Sequence, residues 1–213
     1  MKSKLTLILV ALQMGLLVSQ ALAHPTSYQD SLAVMTWNQP DQNDLWVVYS
    51  FRYDKALAAR HMRVQTRSGL SKMNMGQFNW LVKRWNQKNS QANVYLYGGF
   101  GSHEHLGQSG TVGVWGLEAD AESRKLFIWG RGEGMRSSHN QDFELYEFRL
   151  GAAPYEAEFN EIASWLMLQY QYRPQMVSKE VLTPLVRFFY RNVLWEMGSS
   201  FDGDFMLNFM VHF

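Results

Sequence analysis

Gly203-Asp204-Phe205-Met206-Leu207-Asn208-Phe209-Met210-Val211-His212-Phe213 is the stretch from which the fold can be read. At the two-residue period of a strand, Phe205, Leu207, Phe209, Val211 and Phe213 share one face, and Met206, Asn208, Met210 and His212 share the other. A strand this apolar, left at the edge of a sheet, would be a template for aggregation. In a closed barrel the edge disappears, because the last strand pairs with the first, and hydrocarbon then bathes the apolar face.

These eleven residues resemble the C-terminal sorting strand of Gram-negative outer-membrane β-barrels, which alternates apolar residues and finishes on Phe. The resemblance covers one strand and points to the small outer-membrane barrel class, with no particular family within it. It implies outer-membrane localisation, contact with outer-membrane lipid, and delivery by the barrel-assembly machinery through residues 205–213.

The other end of the chain fits export. Lys2 and Lys4 precede an apolar run over residues 5–18, and Ala21-Leu22-Ala23 has the form of a cleavage site, so residues 1–23 read as a signal peptide. Residues 24–213 are then one barrel domain beginning at His24, with no apolar stretch of about 20 residues to form a membrane helix. The chain has no Cys, which removes disulfides and thiolate metal sites. A net charge of +1 from 20 basic and 19 acidic residues gives no electrostatic case for nucleic acid. Aromatics make up 15% of a chain whose mean hydropathy is only −0.28, which suits a wall that alternates lipid and lumen faces between aromatic belts.

Between the ends, about twelve runs separated by turn-like clusters predict an all-β, antiparallel transmembrane barrel of about 12 strands. They fall at 31–38, 44–52, 56–66, 76–86, 91–101, 110–121, 124–135, 142–152, 160–173, 181–190, 193–199 and 204–213. With the N-terminus periplasmic, the inner turns are expected to be short and the outer loops longer, including 67–75 and 102–109. Pro184 cannot donate to a ladder and is expected near a rim. Arg60 breaks the pattern, since it shares a face with Ala58, Met62 and Val64; a register shift or snorkelling at an interface would explain it. Trp37, Trp85, Tyr170, Tyr172, Tyr190 and Trp195 are expected in interfacial belts.

If the apolar positions face lipid, then Lys83, Glu118, Asp120, Arg131, Glu133, Glu147, Arg149, Arg173, Arg187, Arg191 and Glu196 face the lumen. Mixed signs allow either a filled interior of mutually paired charges or a narrow conduit for a small solute. A structural or narrow transport role is the leading reading, and no enzymatic activity is expected to accompany it.

Two alternatives follow from other residues. His24 would offer a terminal amine and an imidazole, while His103, His105, Met73, Met75 and His139 fall in predicted outer loops, and Met206, Met210 and His212 face inward on the last strand. Thioethers and imidazoles without thiolates suit copper(I) or silver ion, against the plainer reading that Met fills gaps and loop His is solvated. A lipid-active hydrolase would need a Ser and His brought together, and Ser137-Ser138-His139-Asn140 and Ser102-His103-Glu104 supply the ingredients. Neighbours on one strand point to opposite faces, so neither stretch is a triad by itself.

Overall fold

The computed structural model describes residues 24–138, 141–158 and 160–213. Twelve antiparallel strands follow one another: β1 (Ser31–Gln39), β2 (Gln42–Arg52), β3 (Lys55–Thr66), β4 (Gly69–Asn86), β5 (Ser90–His105), β6 (Gln108–Ser123), β7 (Leu126–Ser137), β8 (Phe143–Ala152), β9 (Ala163–Tyr172), β10 (Glu180–Tyr190), β11 (Val193–Ser199) and β12 (Phe205–His212). Each pairs with its sequence neighbours, and β1 pairs with β12, so the sheet is a closed barrel. The closing register runs from Ala33 opposite His212 to Asn38 opposite Leu207. Beyond it the Phe213 N–H donates to the Leu32 carbonyl at 2.7 Å, and the Leu32 N–H donates to the Phe213 carbonyl at 3.2 Å. The apolar tail therefore leaves no edge.

Alternation divides the strands into an exposed outer set and a buried inner set, broken mainly at strand ends and at a bulge in β4. Leu45, Val47 and Tyr49 on β2, Phe78, Trp80 and Val82 on β4, Leu166 and Leu168 on β9, and Phe205, Leu207 and Phe209 on β12 all point outward. This girdle has the composition hydrocarbon demands of a barrel exterior. One wall glycine is covered by an aromatic neighbour: a Cβ on Gly134 would stand 2.7 Å from the Trp115 ring, so only a glycine lets that indole lie against β7.

Toward the end opposite the termini the pattern inverts. The outside of the wall becomes polar, with His61, Arg63, Lys72, Glu104 and Arg136 exposed, while Met62, Val64, Met73, Met75, Val112, Val114 and Met135 fill the inside. Here the strands extend beyond the apolar girdle, polar outside and packed with apolar side chains within. This inversion corrects three expectations. Residues 67–75 and 102–109 are mostly strand, so Met73, Met75, His103 and His105 sit on β4 and β5 with buried side chains, not in loops. Arg60 needs no register shift or snorkelling, because it lies on the inner face of β3 throughout. The expected difference in loop length is not found either. The connections at 40–41, 67–68 and 106–107 are two-residue turns, and the longest, 153–162, is at the end that holds the termini.

Smaller corrections have equally local causes. A bulge between Leu81 and Lys83 turns Lys83 outward, where its ammonium lies 5.9 Å from the Trp85 ring. Arg191 occupies the β10–β11 turn at φ 57° and is exposed. Pro184 lies within β10 opposite Leu168, but the β10–β11 ladder begins one residue later at Leu185, so its missing N–H falls where that ladder has ended. Trp37 is not in a belt; it packs inside against Trp46.

Candidate functional site

Ion pairs between adjacent strands line the lumen, and two of them extend across it to strands that are not neighbours, Arg60 to Glu133 and Arg149 to Glu196. Arg60 on β3 donates to Asp44 on β2 (Nε–Oδ1 2.9 Å, Nη2–Oδ2 2.7 Å) and to Glu133 on β7 (Nη1–Oε2 2.7 Å, Nη2–Oε1 2.9 Å). The Tyr97 hydroxyl of β5 donates to the same Glu133 at 2.9 Å. Arg131 pairs with Glu147, whose other oxygen accepts from Gln171 at 2.6 Å. Glu196 on β11 accepts from Arg149 at 3.2 Å, from Arg187 at 2.6 Å and from Asn208 at 2.7 Å. Arginine's flat fork allows this doubled pairing while its face rests on a ring. Arg60 lies 4.6 Å from the Trp46 centroid, Arg149 4.8 Å from Trp129, and Arg187 4.7 Å from Phe127. Arg131 also reaches the Trp37 ring of β1, on the opposite side of the barrel, at 5.7 Å.

Glu118, Asp120, Arg131, Glu133, Glu147, Arg149, Arg187 and Glu196 thus all lie on the inner face and are buried, as is Arg173. The sequence reading missed Asp44, although Leu45, Val47 and Tyr49 fix the outer face of β2 and so turn Asp44 inward. It gave no pairing role to Tyr97, Gln171 or Asn208: Tyr97 acts on Glu133 two strands away, and Gln171 and Asn208 stand opposite Glu147 and Glu196 on adjacent strands, a match that only the register reveals.

Both ends of the barrel are obstructed. At the end opposite the termini, connection 173–179 leaves β9 and β10 and crosses to the β3–β4 turn on the facing wall. There Arg67 Nε donates to the Met176 carbonyl at 3.0 Å, and Thr66 and Met176 form an isolated bridge. Arg173 ties the same connection to Asp41 at 2.9 Å and Gln39 at 3.2 Å. At the other end residues 24–27 reach into the lumen. The Pro25 carbonyl accepts from Asn79 Nδ2 at 2.7 Å, the Ser27 N–H donates to Ser50 Oγ at 2.9 Å, and Ser27 Oγ lies 3.1 Å from His212 Nδ1. His24 stacks on Tyr95 with centroids 5.2 Å apart, and its Nδ1 is 3.4 Å from Asp120 Oδ2. Burial, then the charges of Arg84 and Arg187 and nearby His212, push the imidazole of His24, which precedes the first strand, down to about 3.

The sequence-predicted metal candidates fall into separate places. Met73 stands opposite Met62 on one side and His103 on the other, and Ser71 Oγ is 2.9 Å from His105 Nδ1. The His103 and His105 rings are 6.1 Å apart, and Phe143 meets His103 edge-on. Met75 is buried nearby in the same apolar cluster. Met206 contacts Gln169 Nε2 at 3.6 Å, while Met210 Sδ lies 3.1 Å from His212 Nε2. His139 lies outside the described residues. Among the described residues no three His, Asp or Glu side chains converge to hold a metal ion. Nor does a hydrolytic triad form around Ser102, which faces outward while His103 faces in.

Neither a family model nor a curated protein matches the chain. Solved structures do. A KdgM porin in complex with disordered oligogalacturonate is similar over 86% of this chain and 98% of its own, at 10% identity and a TM-score of 0.50. A second KdgM porin structure matches over the same shares at 10% identity and 0.48. A loop L8 deletion mutant of OmpT, an outer membrane protein of Vibrio cholerae, covers 86% of this chain and 97% of its own at 8% identity and 0.31. At such identities the first likeness concerns the fold, a closed antiparallel barrel, and the other two are too distant to support an argument.

Proposed function

We propose that this chain is an outer-membrane β-barrel with a porin-like role, offering a narrow, gated route to small polar solutes. The observation that carries the proposal is the polarity of the closed wall: hydrocarbon-compatible outside, and lined within by guanidinium and carboxylate groups that meet across the lumen. In the resting state those pairs and the two end segments narrow the path, so passage requires both connection 173–179 and residues 24–27 to move aside. The KdgM porin holds an acidic oligosaccharide. Here Arg60, Arg131, Arg149 and Arg187 each already pair with a carboxylate, which favours small solutes of mixed charge or none.

Two measurements test the proposal. Fractionation should find the processed chain in outer membranes and in detergent extracts only; recovery as a freely dissolved monomer would end the reading. In planar bilayers the wild type should give low, intermittent conductance, and Arg67→Ala with Arg173→Ala, which frees connection 173–179, should raise the open fraction. An unchanged, fully silent bilayer for both proteins would leave the barrel without a transport role.

A further inference from the structure

The inner face of β6 carries Glu118, Asp120 and Glu122 in succession, at the end of the lumen into which residues 24–27 reach. These carboxylates differ from those of the central pairs. Glu118 Oε1, Asp120 Oδ2 and Glu122 Oε2 are buried without a hydrogen-bond partner, and so are both ring nitrogens of His24. Asp120 is held from its other side, where Oδ1 accepts from Asn93 at 2.8 Å, and His24 is fixed by its stack on Tyr95. Buried polar atoms without partners are costly, and those of a native site imply a group that completes them.

We propose that the processed N-terminus forms a divalent cation site here, with Zn(II) the best-fitting ion. Cleavage after Ala23 leaves His24 with a free amine beside its imidazole, and amine nitrogen and Nδ1 close a six-membered chelate on one metal. Asp120 Oδ2 supplies the third donor. Its 3.4 Å separation from Nδ1 is too long for a strong hydrogen bond. It matches two donors on one tetrahedral Zn(II), which at the usual bond lengths stand about 3.4 Å apart, whereas right-angled donors on Cu(II) would stand about 2.8 Å apart. Water completes the shell. Two side chains alone make no site; the third ligand exists only once the leader has been removed, so the metal would fasten the mature N-terminus inside the barrel.

The inference rests on export and cleavage after Ala23, which mass spectrometry of the mature protein checks separately; a different first residue overturns the site but not the barrel. Isothermal titration of the metal-free, detergent-folded mature protein with Zn(II) should give one equivalent per chain. His24→Ala and Asp120→Asn should each weaken binding about tenfold or more, with unchanged heat-modified gel mobility showing that both still fold. Protein refolded with one extra residue before His24 keeps both side chains but displaces the amine, and it should lose affinity to a similar degree. Absence of Zn(II) binding, or binding indifferent to His24, Asp120 or the extra residue, would overturn the proposal.

Discussion

The middle of the lumen and its N-terminal end are built from the same residue types and treat them in opposite ways. In the middle, Asp44, Glu133, Glu147 and Glu196 each meet a guanidinium, and the arginines in turn rest on aromatic faces. At the N-terminal end Glu118, Asp120 and Glu122 follow one another along one strand and keep unsatisfied oxygens. Charges closed on one another brace the wall and hold a lumen shut. Carboxylates left open are free to take the cation proposed above. The contrast teaches that burial of charge within one barrel serves two purposes, and that partner geometry separates them.

The sharpest way to break this contrast is Arg60→Met, which leaves Asp44 and Glu133 buried without their cation; it should cost about 3–5 kcal/mol in urea unfolding from lipid vesicles. A loss comparable to that of an exposed pair would show that the crossing pairs do not brace the barrel. Outside the lumen, Leu168→Arg places a charge in the lipid-facing girdle and should cost about 2–4 kcal/mol if that position lies near mid-bilayer, by the same assay. Tyr97→Phe removes one donor to Glu133 and should cost about 1–2 kcal/mol. Asp120→Asn in metal-free protein should fall well below the Arg60 change, at about 1 kcal/mol, because the carboxylate holds one hydrogen bond from Asn93 and a long contact to His24. The exposed Lys72–Glu104 pair, 3.4 Å apart, sets the floor: a double-mutant cycle should give a coupling of about 0.5 kcal/mol or less, vanishing in salt.

How far the sequence could be read depended on which solvent faced each residue. Within the girdle, apolar positions such as Leu166 and Leu168 on β9 declare the lipid face, and Gln169 and Gln171 between them declare the lumen. Beyond the girdle the rule reverses. Lys72 and Asn74 on β4 face outward and Met73 and Met75 face inward, so a reader applying one rule throughout sees no strand and assigns a loop. The same reversal made Arg60 look misplaced. His24 illustrates another limit: its residue type marked it as a possible ligand, but Asp120 lies ninety-six positions away and only the closed ring sets them side by side.

The order of amino acids alone pointed to about twelve strands, their antiparallel closure and the side that most girdle residues face, because a period of two with an apolar solvent on one side leaves few consistent solutions. Only the tertiary structure decided which charges meet, where the wall leaves its apolar girdle, and that both ends of the lumen are crossed by chain. Those outcomes depend on the register between adjacent strands, as for Arg131 and Glu147, and on distances across the barrel, as for Arg60 and Glu133, and the periodicity of a single strand holds no record of either.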